Sequence, residues 1–160
     1  MVKVISFLWF AEQAREAVEF YVSLVPDSSI GDITTVPSET PSGPPGSVEI
    51  VEFTLGNQNF IAMQAGPFEQ FNHAFSVQVV CENQAELDRI WDGFLANGGT
   101  AEHCGWLRDR WGLSWQIVPK ALTEMMSGTR KGNAKKMTEA MLKMIKIDVA
   151  TLEQAFQEAA

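Results

Sequence analysis

Ala14-Arg15-Glu16-Ala17-Val18-Glu19-Phe20-Tyr21 and Leu87-Asp88-Arg89-Ile90-Trp91-Asp92-Gly93-Phe94 decide the fold of this chain. Adding 73 to Ala14, Ala17, Val18 and Tyr21 lands on Leu87, Ile90, Trp91 and Phe94 (87 − 14 = 73). Both sets recur at helical spacing, so each stretch predicts an amphipathic helix with one apolar stripe. Pro26-Asp27 ends the first helix, and Gly98-Gly99 closes the second. Asn83 with Glu86 three residues on forms a capping-box start, Asn taking the usual place of Ser or Thr.

Each helix sits inside the same order of strand signals. The first half has an apolar run at 3–10, then strands near Ile30–Val36, at Val48–Leu55 and at Asn59–Ala65. Gly56-Asn57-Gln58 joins the last two as a hairpin. Between them, 37–47 holds four prolines and two glycines and reads as an exposed loop. The second half repeats the pattern with strands at Ala74–Val80, Thr100–Cys104, Trp106–Arg110 and Leu113–Val118. The reading is a duplicated βαβββ unit, module 1 about 1–66 and module 2 about 73–119, within one α+β domain spanning 1–160. After Pro119 a helical tail follows, with Met137, Met141, Met144 and Ile145 on one face, as a packed seam or a partner-binding face. Ile147, Asp148 and Leu152 fit a hydrophobic staple around an N-cap, starting a last helix.

Bulk composition narrows the function. A net charge of −8 argues against nucleic acid as a partner, because phosphate binding needs surplus Lys and Arg. The charge is uneven: 1–119 carries five basic and fifteen acidic residues (5 − 15 = −10), and 120–160 seven and five (7 − 5 = +2). The basic tail either docks on an acidic body, in this chain or a second copy, or is a solvated face. No apolar run approaches the roughly 20 residues of a membrane span. The start is short, interrupted by Glu12 and without a small-residue cleavage site, so it reads as a strand, not a signal peptide. Two cysteines make no disulfide framework, and the cytoplasm is the default location.

Phe7-Leu8-Trp9-Phe10, Ala17-Val18-Glu19-Phe20-Tyr21, Cys104-Gly105-Trp106-Leu107 and Gly112-Leu113-Ser114-Trp115-Gln116-Ile117-Val118-Pro119 resemble the PhnB-like family. That family belongs to the vicinal-oxygen-chelate superfamily, with glyoxalase I, bleomycin-resistance proteins and extradiol dioxygenases. The likeness continues into Lys146-Ile147-Asp148. It implies paired βαβββ modules, a homodimer and a cupped sheet around a small-molecule site. Proteins of this kind often carry the label 3-demethylubiquinone 3-methyltransferase. No Gly-x-Gly-x-x-Gly occurs in the chain, and the turn after the first strand, Phe10-Ala11-Glu12-Gln13, has no glycine. A doubly wound methyltransferase needs one there for the cofactor to approach the backbone.

Superfamily enzymes hold a divalent metal through His and Glu on the cup strands. The matching strands here offer Ser6, Gln64, Ser76, Gln78, Ser114 and Gln116. The resemblance places Gln116 where glyoxalase I carries a metal-binding Glu, and the shorter offset of the final hairpin strands, about 52 residues (116 − 64 = 52), makes Gln64 its counterpart. Amide oxygens carry no charge to offset a cation, so the expectation is a site without metal or cofactor. Trp9, Gln64, Ser76, Trp106, Trp115 and Gln116 are the expected ligand-binding residues, an aromatic pocket with a few amides that suits a flat or apolar molecule. His73 is either a base beside the cup or a rim histidine, and Cys104 either a reactive thiol or a small packed residue. Three functions stay open: a pocket with unnamed chemistry, a non-catalytic sequestering protein, and a metal-dependent lyase or dioxygenase.

Overall fold

A computed structural model describes residues 1–159. The chain divides into two compact units, Met1–Gln70 and Phe71–Ala160.

The first unit runs β1 (Ser6–Phe10), α1 (Ala14–Leu24), β2 (Ser29–Thr35), β3 (Glu49–Leu55) and β4 (Gln58–Gln64), in sheet order β1-β4-β3-β2. β1 pairs with β4 in parallel; the other pairs are antiparallel. Alternation sorts each strand into two faces. Leu8, Phe10, Val51, Phe53, Phe60 and Ala62 are buried with the α1 stripe Ala14, Ala17, Val18 and Tyr21. Phe53 and Phe60 face each other across β3 and β4 with ring centres 5.2 Å apart. The initial strand covers only Ser6–Phe10, because residues 1–4 are exposed and gain nothing by pairing. The β3–β4 turn is also tighter than expected: Leu55 pairs with Gln58, so two residues make it, and Gly56 supplies the positive φ of 56°. The edge strand β2 is exposed throughout and bulged between Ile30 and Ile33, which spoils it as a template for further pairing.

The second unit repeats this plan with β5 (Ser76–Cys81), α2 (Gln84–Ala96), β6 (Thr100–Ala101), β7 (Trp106–Arg108) and β8 (Ser114–Pro119), in order β5-β8-β7-β6. Again the outer pair, β5 with β8, is parallel. Asn83 caps α2 by accepting from the Glu86 amide at 3.0 Å, while the Glu86 carboxylate reaches the Glu82 amide, one residue before the usual target. At the other end Gly98, at φ 86°, lets the Gly99 and Gly98 amides return to the Phe94 and Leu95 carbonyls, a Schellman closure. Leu87, Ile90, Trp91 and Phe94 are all buried, as their spacing predicts.

The tail adds α3 (Lys120–Met126), α4 (Ala134–Met141) and α5 (Val149–Gln157) to this unit. Asp148 caps α5 through the Thr151 amide at 2.7 Å, with Ile147 and Leu152 both fully buried as the staple. The methionine stripe is a different matter. α4 stops at Met141, so Met144 and Ile145 do not share its face. Their carbonyls instead accept from the Cys104 and Gly105 amides at 2.9 and 2.8 Å, tertiary bonds that replace further helix. The tail docks within its own chain. Lys146 lies 3.1 Å from Asp88 and 3.5 Å from Asp92 on α2, and Gln84 bonds both the Ile147 carbonyl and the Val149 amide.

Three carboxylates in this docking titrate below their ordinary range. Gln84 and then Lys146 hold Asp88 down, the Thr151 amide does so for Asp148, and Arg130 does so for Glu153. A depressed carboxylate contributes stability that is complete above its unfolded value and is lost as pH falls through the lower folded value. Lys146, raised mainly by Asp88, acts oppositely and loses its contribution only as pH rises through its folded value. Lowering the pH from neutral to about 3 should therefore loosen residues 120–159 before the strands. Amide exchange, normalised to the intrinsic rate at each pH, reads this directly. Equal loss of protection in β8 and α5 would contradict it.

Candidate functional site

On each strand of the second sheet one face turns to α2 and the other away. Val77, Val79, Trp115 and Ile117 alternate with Ser76, Gln78, Gln116 and Val118. The face away from α2 carries a cavity of about 490 Å³. Gln78, Trp106, Gln116 and Val118 supply its sheet side, and Cys104 the turn before β7. Leu122, Thr123, Met126 and Ser127 of α3 and Met141 of α4 complete it.

Register brings the polar groups together. Ser76 pairs with Ser114, Gln78 with Gln116, and Gln116 with Trp106. The Gln78 amide donates to Gln116 Oε1 at 3.1 Å, and the Gln116 amide donates to Ser76 Oγ at 2.9 Å. This relay engages one hydrogen of each amide and the Gln116 oxygen, and fixes the direction of both groups. Ser114 Oγ, buried on the same face of β8, has no hydrogen-bond partner among the described residues.

Of the expected ligand-binding residues, Ser76, Trp106 and Gln116 meet here. Trp115 lies behind the sheet, fully buried, its ring centre 4.8 Å from Phe94 and its indole N–H donating to Asp109 at 3.0 Å. Gln64 belongs to the first unit and accepts from the Ala14 amide at 3.2 Å. It serves the start of α1, where Gln13 stands at φ 60° and caps with no side chain of its own. Gln64 lies on the helix-side face with Phe60 and Ala62, and Gln116 on the opposite face from α2. The offset of 52 between the last hairpin strands therefore does not make the two glutamines equivalent. Trp9, also in the first unit, donates to the Gly66 carbonyl at 2.8 Å and packs on Phe68. Tail residues Leu122, Met126 and Met141 went unnoticed as lining; only the methionine spacing hinted at one of them.

His73 is exposed and bonds Glu102 at 2.8 Å, and Glu102 also takes Arg108 at 2.7 Å. This cluster adjoins Trp106, 6.3 Å from ring centre to ring centre, but His73 is not part of the lining. Cys104 is not in a strand: β6 ends at Ala101, and Cys104 occupies the following turn at φ 57°. The other thiol, Cys81, is buried and pushed up to about 12 by desolvation, then by Glu86, which leaves it unreactive.

The donor set does not fit a divalent cation. Near Gln116 the oxygens come from amides and hydroxyls, and Gln116 Oε1 already accepts a hydrogen bond. Among the described residues no three His, Cys, Asp or Glu side chains gather to hold a metal. Nor does any helix among them have the length and hydropathy to cross a membrane.

The family model described as 3-demethylubiquinone-9 3-methyltransferase matches residues 2–118. The PhnB protein of Bacillus cereus is 32% identical with a TM-score of 0.62, over 74% of this chain and 99% of its own. PA1353 of Pseudomonas aeruginosa is 18% identical with a TM-score of 0.60, over 74% of this chain and 98% of its own. The trypanothione-dependent glyoxalase I of Leishmania major is 11% identical with a TM-score of 0.54, over 84% and 93%, and shares the fold. No curated protein matches. Repeated βαβββ sheets, the family match and the Bacillus relative agree: the chain belongs to the 3-demethylubiquinone-9 3-methyltransferase (PhnB-like) family, with the fold seen in glyoxalase I.

Proposed function

We propose that this protein binds a small, neutral, largely apolar organic molecule in the cavity of its second unit, without a metal. One observation carries the reading: about 490 Å³ of space with no Asp, Glu, Lys, Arg or His in its lining. That volume is in the range of small-molecule sites, roughly 300–1,000 Å³. A charged ligand would lose its hydration there without a counter-charge, whereas a flat apolar body can lie on Trp106. The amide relay leaves Gln78 Oε1 to accept one ligand N–H or O–H.

Sequestration is favoured over turnover. General acid–base catalysis needs a titrating side chain within reach, and the lining offers only the Cys104 thiol. Methyl transfer is not part of the reading, since β1 runs into the glycine-free turn 11–13 and neither sheet is doubly wound. Assembly as a homodimer is, by the family likeness; light scattering at 17.7 kDa would remove that part.

N-phenyl-1-naphthylamine and its sulfonated analogue 8-anilinonaphthalene-1-sulfonate test the site by fluorescence titration. The neutral probe should bind at least about tenfold more tightly. Gln78→Ala should weaken it roughly fivefold, as one hydrogen bond is lost. A preference for the anion, or neutral binding indifferent to Gln78, would refute the reading.

A further inference from the structure

The geometry points to the C-terminal tail as the element that sets which ligands the cavity admits, with Leu122, Met126 and Met141 as its specificity-determining residues. This rests on the cavity being the ligand site. The family match ends at residue 118, at the last open-face residue of β8 in the lining, and everything added beyond it on this side of the cavity is tail. Without α3 and α4, Gln78, Trp106 and Gln116 would lie on an open sheet face; with them, that face becomes one wall of a half-open cleft.

The tail is also bonded to the turn that carries the sheet-side wall. Carbonyls of Met144 and Ile145 take the Cys104 and Gly105 amides, and Ile147 packs on Gly105. The Lys146 and Gln84 contacts hold the same segment to α2. So the tail both covers the cavity and fixes the turn leading into Trp106, while the amide relay depends on strand register alone.

The covering side chains suit selection by size. Met126 is 56% exposed and Met141 half-buried, and a thioether chain is unbranched with several rotatable bonds. Such a wall yields to different shapes, yet its length limits the space in front of Gln78 and Gln116. Shortening it should admit larger ligands without touching the polar contact.

Wild-type protein and the Met126→Ala/Met141→Ala variant would be titrated with N-phenyl-1-naphthylamine and the larger neutral dye Nile red. The ratio of the two Kd values should move toward Nile red by about fivefold or more, roughly one buried methylene's worth. Met126→Ala alone, at an exposed position, should move it in the same direction if the double variant folds poorly. An unchanged ratio with both probes still bound overturns the role of the tail and leaves the ligand site standing. Failure of the wild type to bind either probe overturns the site itself, and the inference with it.

Discussion

Replacing Asp109 with alanine is expected to lower the thermal midpoint by roughly 10 °C. Asp109 is one of two buried polar or charged residues among the described residues, 5% exposed. Its Oδ1 accepts from the Trp111 and Leu113 amides at 2.9 and 3.0 Å, and Oδ2 from the Trp115 indole at 3.0 Å. Backbone bonds between Asp109 and Leu113 and between Gly112 and Asp109 close the same turn. Alanine would strand three donors, two of them in bonds closed to solvent. Hydrogen bonds to a charged group contribute about 1.5–3 kcal/mol each and do not add fully, so a loss of about 4 kcal/mol follows. For a chain of this size each kcal/mol corresponds to roughly 2–4 °C.

Asparagine gives the sharper comparison. It keeps an oxygen for the two amides but turns its NH2 toward the indole N–H, donor against donor, so about half the loss should remain. Calorimetry of both variants decides the point; an alanine variant melting within about 2 °C of wild type would mean the site is water-filled or relaxed. The functional consequence is positional. Trp115 is anchored behind the sheet, and Gln116, its neighbour, is thereby aimed into the cavity.

Gly105→Ala should cost about 3 kcal/mol or more, through strain and overpacking together. Gly105 stands at φ 80°, and an added Cβ would lie 2.8 Å from the Ile117 carbonyl oxygen and 3.0 Å from Ile147 Cγ1. Neither neighbour is free to move. The Gly105 carbonyl accepts from the Ile117 amide at 2.8 Å, and its own amide donates to Ile145. The adjacent residue gives the opposite expectation: Cys104, at φ 57°, already bears the strain of a side chain in the left-handed region. Cys104→Gly should be neutral or slightly stabilising. Urea unfolding of the pair tests both signs together, and equal midpoints for Gly105→Ala and wild type would contradict the packing argument.

Which parts of the site were legible in advance depended on the range of the interaction. Gln116 and Ser76 could be placed because strands alternate, and Trp106 because it pairs across a short antiparallel turn. Trp115 and Gln64 were misplaced for one reason. Aromatic or amide character says what a side chain can do, but the parity of a strand against its helix decides which way it faces, and one residue of slip reverses it.

Local periodicity and capping chemistry were enough, from the sequence, for both βαβββ repeats, the paired helix stripes and the starts of α2 and α5. Each of those rests on contacts within a few residues, such as Asn83 with Glu86 or Ile147 with Leu152. Only the folded chain decided that the tail covers the second sheet, that α4 gives way so Met144 and Ile145 can hold the Cys104–Gly105 turn, and that a neutral cavity results. Those bonds join residues about forty positions apart, and no local pattern records which distant amide a carbonyl will find.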